Sequence, residues 1–109
     1  MTDRALEGRQ SALDMMVLKA LSIEGMHGWG ISQYIQRVSR DVLQINQGSL
    51  YPALHRLERD GYIRAEWRQS ENNRRARYYS LSAGGRRQLQ AEHRDWLAFS
   101  QAVQRVMQA

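Results

Sequence analysis

The chain has 109 residues, a formal net charge of +5, one proline and no cysteine. This length suits one domain with a small hydrophobic core, and the lack of cysteine excludes disulfides and thiolate metal sites. No apolar run approaches the roughly 20 residues that span a bilayer, and the first residues lack the apolar segment of a signal peptide. We therefore expect a soluble protein of the reducing cytoplasm, without membrane contact.

The positive charge is concentrated in one part of the chain. Residues 56–87 contain nine arginines and four carboxylates, whereas acids and bases balance elsewhere. Guanidinium groups bind phosphates and guanine edges in a bidentate geometry. A clustered basic surface on a small protein points first to nucleic acid, and a solvated charged face is the alternative.

The N-terminal third is predicted to contain two helices. We expect a flexible N-terminus over residues 1–10, followed by an amphipathic helix that begins at a capping-box pattern at Ser11 and ends near residue 23. A second amphipathic helix is predicted over residues 28–39. The two glycines at its start suit close packing, simple capping, or the binding of a phosphate by exposed N–H groups.

The clearest helical pattern lies in residues 47–60. Apolar residues recur there at i, i+3, i+4 and i+7, which assigns one face of the helix to the core. These residues are Leu50, Ala53, Leu54 and Leu57. Pro52 is expected in the first turn, after a cap at Ser49 or an irregular turn that starts at Asn46. Gly61 follows at the position where helices favour a left-handed C-terminal cap.

Two strands are predicted directly after this helix, because the apolar period changes from 3.6 to 2. Residues 62–68 form the first strand, and Ile63, Ala65 and Trp67 are assigned to its core-facing side. Residues 77–81 form the returning strand. Together they predict a β-hairpin.

A polar, arginine-rich segment, residues 69–77, includes the tip of the hairpin and is called the wing. A helix followed at once by a hairpin with a basic tip is typical of winged-helix proteins, in which the helix enters the DNA major groove. Residues 47–60 are accordingly predicted to be the recognition helix. We expect residues 11–81 to form this domain, with a third strand of one residue at Leu43 or Ile45.

Residues 82–109 are predicted to form one long helix that begins at a Ser82 cap. An apolar face runs along it, formed by Leu89, Trp96, Phe99 and Val103. Some 25 residues at ~1.5 Å each give a rod of roughly 37 Å, longer than a three-helix core covers. A second copy of the chain would cover the rest, so we predict a two-fold homodimer built on this helix. The predicted fold class is therefore mainly α with a small β-hairpin.

Four short segments combine into a specific pattern. They are residues 26–31, 48–58, 61–63 and 73–85. Together they resemble the PadR family of bacterial transcriptional regulators, and the similarity extends over about residues 11–109. The resemblance implies a winged helix-turn-helix domain, a homodimer formed mainly by the C-terminal helix, and usually repression through operator binding. With a single C-terminal helix, the chain is similar to the short members of the family.

The resemblance also implies DNA contacts from the recognition helix and from the wing. The helix residues are Gln47, Ser49, Tyr51, His55 and Arg56, and the wing residues are Asn72, Asn73, Arg74, Arg75 and Arg77. Ser49 and Tyr51 would hold backbone phosphates, and Gln47 would pair with an adenine. His55 and Arg56 would face base edges or phosphates, and the wing arginines would anchor the hairpin on the duplex.

Several of these residues have structural alternatives. Tyr51 could simply cover the edge of the core, and Arg77 could pair with Glu66 across the hairpin. Asn72 and Asn73 could shape the tight turn instead of touching a groove.

Short PadR members resemble one another in having a cavity at the dimer interface, which in some of them binds planar aromatic compounds. Trp96 lies midway along the C-terminal helix, with Phe99 one turn on, and two copies would face each other around such a ring. Plain packing of Trp96 in the dimer is the alternative. The expected partners are thus double-stranded DNA, a second copy of the chain and a planar aromatic effector.

The sequence does not predict an enzyme. His27, His55 and His93 are the only histidines, and none has a second ligand at metal-binding spacing. No phosphate-binding glycine loop or nucleophile elbow occurs, so neither a cofactor nor a metal is expected. The remaining alternative is a winged-helix module that binds a protein or double-stranded RNA.

Overall fold

The computed structural model describes residues 2–69 and 72–109, with side chains from residue 12 onward. In chain order, the elements are α1 (Thr2–Ile23), β1 (Met26–His27), α2 (Gly28–Val38), α3 (Gln47–Arg59), β2 (Ile63–Gln69), β3 (Arg75–Leu81) and α4 (Ala83–Gln108). The prediction of a mainly helical winged-helix fold with a long C-terminal helix is confirmed.

The first helix begins earlier than predicted. It starts at Thr2, whereas the sequence predicts a flexible segment over residues 1–10 and a helix cap at Ser11. Residues 4–10 are rich in Ala, Leu, Glu, Gln and Arg, which favour helix, and a single glycine costs only about 1 kcal/mol there. A polar stretch without an apolar stripe therefore does not stop this helix. Met1 lies outside the described residues.

The hydrophobic core lies between α1, α2, α3 and the base of the sheet. Its largest fully buried side chains are Leu18, Ile31, Leu50, Leu54, Ile63 and Val17. Burial of each large aliphatic side chain contributes roughly 1.5–3 kcal/mol. All four apolar residues predicted for one side of α3 are buried, which leaves its opposite side to solvent.

A third strand completes the sheet, but it is not the predicted one. The strand order is β1-β3-β2, all antiparallel, and β1 pairs Met26 with Tyr79 and His27 with Tyr78. The Tyr78 hydroxyl donates to the carbonyl oxygen of Gly25 at 2.6 Å, which holds the segment before α2 against β3.

The predicted third strand at Leu43 or Ile45 is wrong, because these residues lie in the loop between α2 and α3. Arg40 and Asp41 have positive φ angles of 54° and 65°. The Gln36 amide donates to Asp41 Oδ1, which stabilises this turn. The chain reverses sharply after α2, and the loop does not pair with β3.

Asn46 caps α3, since its side-chain oxygen accepts the Ser49 N–H at 2.9 Å. The helix therefore starts before Ser49, and Pro52 lies inside it instead of in the first turn. Proline donates no N–H to the carbonyl four residues earlier, which belongs to Gly48. Gly48 is exposed, so water can satisfy that carbonyl and the proline is tolerated.

The end of α3 is joined to the start of α4. Gly61 has φ +80°, and the Tyr62 N–H donates to the Leu57 carbonyl at 2.9 Å, as in a Schellman cap. The Ser82 hydroxyl bonds the Gly61 carbonyl at 2.7 Å and also caps α4 by accepting the Gly85 N–H at 3.0 Å. One serine thus connects two helices and the hairpin.

The helix α4 packs on α1. Leu89 contacts the core cluster, so this predicted interface residue belongs to the subunit itself. The exposed apolar residues beyond it are Trp96, Leu97, Phe99, Val103, Val106 and Met107, which we call the α4 apolar stripe. Among the described residues, no helix is both long enough and apolar enough to cross a membrane.

Candidate nucleic-acid interface

The solvent side of α3 carries polar side chains. Gln47, Ser49, Tyr51 and His55 are all exposed, whereas the leucines of the same helix are buried. Four of the five helix residues expected at a DNA interface therefore share one accessible side. Their donors and acceptors are of the kinds that bind phosphates and base edges.

Arg56 differs from the other four. Its Nη2 donates to Asp14 Oδ1 of α1 at 3.0 Å, and both side chains are largely covered. Burial raises the pKa of the Asp14 carboxyl, although the Arg56 charge opposes the shift. The position of Arg56 therefore supports a role in joining α3 to α1 and gives no support to contact with bases.

The tip of the hairpin is exposed and basic. Asn72, Asn73, Arg74 and Arg75 are all open to solvent, while Ser70 and Glu71 lie outside the described residues. Asn73 has φ +62° and accepts a hydrogen bond from the Gln69 amide at 2.7 Å. Asn73 is thus a turn-forming residue, consistent with the structural alternative for this position.

Arg77 forms its ion pair with a carboxylate of α3. Its Nη2 donates to Glu58 Oε2 at 2.7 Å, so the partner is Glu58 and not Glu66, the partner in the structural alternative. Glu66 instead pairs with Arg68 on its own strand. The Arg77–Glu58 pair lies next to Tyr79, whose pKa is raised by burial. These contacts fix the hairpin relative to the recognition helix.

Trp67 is a residue whose position the sequence did not predict correctly. The alternating pattern assigns it to the core, but its side chain is 56% exposed. The hairpin continues past the edge of the core, and Arg75 and Arg77 lie 5.6 and 5.7 Å from the indole centre. A seven-residue strand on so small a domain could have indicated this, because its outer end has nothing to pack on.

An open groove of about 1050 Å³ separates the start of α2 and the side of α3 from the hairpin. Its walls include His27, Trp29, Tyr51, Trp67, Arg74 and Arg75. A Cβ atom on Gly28 would lie 3.0 Å from the Tyr51 hydroxyl, so this glycine allows the phenol to pack closely. His27 Nδ1 accepts the Gly30 N–H at 3.1 Å and caps α2. Close packing thus accounts for Gly28, and the N–H of Gly30 is used by the cap.

An exposed polar helix face beside an arginine-rich hairpin, both carried on a small helical core, defines the winged helix-turn-helix class of DNA-binding domain. A model of the transcriptional regulator PadR-like family matches residues 17–91. The chain belongs to this family. It is accordingly a DNA-binding transcriptional regulator and not an enzyme.

Individual relatives agree with this assignment. The chain is 32% identical to a transcriptional regulator of Mycobacterium tuberculosis over 88 residues, which are 81% of this chain and 78% of the relative. Its fold matches that of a transcriptional regulator from Clostridium thermocellum with a TM-score of 0.80 at 24% identity, covering 87% of this chain and 92% of the other. A PadR family transcriptional regulator from Eggerthella lenta gives a TM-score of 0.77 at 25% identity, with coverage of 97% and 90%.

Proposed function

We propose that two copies of this chain form a two-fold dimer that binds a pseudo-palindromic operator and represses transcription. In each subunit α3 enters a major groove, and the wing lies on the flanking backbone. The main support for this proposal is that the exposed side of α3 and the exposed wing arginines face each other across one open groove.

The DNA contacts divide by chemistry. Arg74 and Arg75 are exposed, and their guanidinium groups neutralise phosphates irrespective of sequence. Ser49 and Tyr51 add hydrogen bonds to the backbone, and Gln47 and His55 reach base edges. Arg56 and Arg77 keep α3 and the hairpin in place through their carboxylate partners, which modifies their expected role as direct contacts.

The α4 apolar stripe supports the dimer. Phe99 and Val103 are each more than 40% exposed on a helix that extends past its own core. A stripe of this kind is suited to the same stripe on a second copy, because a two-fold axis makes one surface complementary to itself. Pairing through α4 would give a rigid spacing between two recognition helices.

The proposal includes a planar aromatic effector that binds at the dimer interface. The Trp96 and Phe99 rings lie 6.1 Å apart with an interplanar angle of 42°, and both are partly open to solvent. Two such pairs across the dimer axis would bind a flat ring by stacking. The test is quenching of tryptophan fluorescence by planar cations. Quenching that is lost in Trp96→Ala, while the dimer stays intact, supports this site. Equal quenching in Trp96→Ala and in the unaltered chain contradicts it.

The main test combines sedimentation with DNA titration. We expect a dimer at micromolar concentration, and binding to duplex DNA that weakens steeply with added salt. A matched double-stranded RNA serves as the control, because a module for RNA would bind it at least as well. A lone subunit in sedimentation, or no DNA complex at low salt, contradicts the proposal.

A further inference from the structure

The inner face of the hairpin is apolar where it packs on the core, and it becomes aromatic and basic beyond the core. Directly opposite residues of an antiparallel pair share one face. From the core outward, the pairs on this face are Ala65–Tyr79, Trp67–Arg77 and Gln69–Arg75. Tyr79 is buried whereas Trp67 is exposed, so the core ends between the first two pairs. Beyond that point the face carries an indole and two arginines.

The indole has a fixed setting. The guanidinium carbons of Arg75 and Arg77 lie 5.6 and 5.7 Å from its ring centre, within range of cation–π attraction. Arg77 is itself held by Glu58 at 2.7 Å. A single exposed apolar residue needs no explanation by itself. An indole within cation–π range of two arginines, on the wall of the groove between the hairpin and α3, is a different situation.

The chemistry of the groove that contains the indole suits a DNA strand. Tyr51 of α3 lines the same groove as Trp67, and the Arg77–Glu58 pair fixes the hairpin against α3. A DNA strand alternates anionic phosphates with apolar deoxyriboses. A surface that alternates guanidinium with an aromatic ring matches that alternation in both charge and polarity.

We propose that Trp67 is a further DNA-contacting residue, whose indole packs on a deoxyribose of the strand that passes between the hairpin and α3. The Arg75 guanidinium binds an adjacent phosphate, while Arg77, which is held by Glu58, stays beside the ring. The inference rests on the proposed function and adds to it a contact without charge. Binding through Trp67 therefore contributes affinity that salt does not screen.

Affinity at low salt and the dependence of affinity on salt concentration test this contact. The probe is a random-sequence duplex of about 30 base pairs, titrated with the 109-residue chain. We expect Trp67→Ala to lower duplex affinity about tenfold, as for an aromatic–nucleotide contact, and Trp67→Phe to retain most of it. The slope of log affinity against log salt should stay constant in Trp67→Ala. In Arg75→Ala the slope should fall by about 0.9, because one phosphate contact is lost.

Fluorine NMR of the 5-fluorotryptophan-labelled chain gives one resonance for each of its three tryptophans. The resonance assigned to Trp67 by Trp67→Phe should shift and lose its solvent isotope effect when the duplex is added. An unchanged resonance while the duplex binds would overturn the inference and leave the proposed function intact. A slope reduced in Trp67→Ala as much as in Arg75→Ala would also overturn it, because the ring would then only position arginines. If the unaltered chain fails to bind the duplex, the proposed function itself fails.

Discussion

Arg77 of the hairpin donates a 2.7 Å hydrogen bond to Glu58 of α3, and this pair joins the two elements proposed to contact DNA. The residues are 19 positions apart and lie on different elements. Because the hairpin otherwise leaves the core, its angle to the recognition helix depends on this contact. The pair is therefore a positioning device for the interface.

The Arg77–Glu58 pair should contribute measurably to stability. A double-mutant cycle with Glu58→Ala and Arg77→Ala should give a coupling energy of about 1 kcal/mol, the upper part of the range for partly exposed pairs. The control is the Arg59–Asp60 pair, whose side chains are 63% and 47% exposed and whose coupling should be close to zero. Urea unfolding measures both cycles. Equal couplings in the two pairs would show that Arg77 has no special role.

Sequence discrimination and general affinity should be separable by mutation. Arg74→Ala should weaken binding to operator and random duplex alike, because it removes only a phosphate contact. Gln47→Ala and His55→Ala should instead reduce the preference for the operator, each by about 1–3 kcal/mol if it reads a base. Fluorescence anisotropy against both DNAs measures this. Similar losses in all three variants would contradict the division.

Gly85 is required at the start of α4. A Cβ atom there would lie 2.1 Å from the backbone carbonyl oxygen of Tyr62, so Gly85→Ala should lower the free energy of unfolding by about 3 kcal/mol. Gly84→Ala is the matched control, since its Cβ would meet nothing closer than 3.7 Å. That variant should be stabilised by roughly 0.4–1 kcal/mol. Thermal unfolding distinguishes the two, and equal melting temperatures would contradict the packing argument.

A charge on the α4 apolar stripe should break the dimer. Phe99→Glu and Val103→Glu would each place a carboxylate in the proposed interface, where an unpaired charge costs several kcal/mol. Gln101→Glu introduces the same charge on the opposite side of the helix and should leave the dimer intact. Sedimentation equilibrium gives the masses. Dimers in all three variants would require a different interface.

Glu92 should destabilise the fold at neutral pH. Burial raises the pKa of its carboxyl above the ordinary value of 4.5, and the charges of Asp14 and Asp95 act in the same direction. When the pKa of a carboxyl is higher in the folded state than in the unfolded state, the protonated carboxyl stabilises the fold at a pH below the unfolded-state pKa. This stabilisation is lost as the pH rises through the folded-state pKa. Glu92→Gln should therefore raise the melting temperature at pH 7.

The advantage of Glu92→Gln should shrink as pH falls toward about 4, where the parent carboxyl is itself protonated. Glu66→Gln provides the control, because Glu66 is exposed on β2 and the same acid-to-amide change there lies outside the core. Differential scanning calorimetry over this range measures both. A constant difference between Glu92→Gln and the parent at all pH values would show that the charge is not the cause.

Local patterns predicted most of the architecture. The leucine spacing of α3, the position of Gly61 and the Ser82 cap each depend on residues within a few positions of one another. Several of the features that were missed depend on distant partners. Arg56 meets Asp14 across 42 positions, and β1 is fixed by Tyr78 across 53. Trp67 was assigned to the core because alternation specifies a face of a strand and not where the core ends.

The junction at Ser82 makes α4 a lever. Its hydroxyl bonds the turn after α3, and Gly85 packs directly against the Tyr62 carbonyl, so the base of α4 is held against the winged-helix domain. A helix of this length extends roughly 39 Å, and tilting it by about 5° displaces its far end by about 3 Å. If two chains pair through the far ends of their α4 helices, a small change in the angle between these helices would change the distance between the two winged-helix domains.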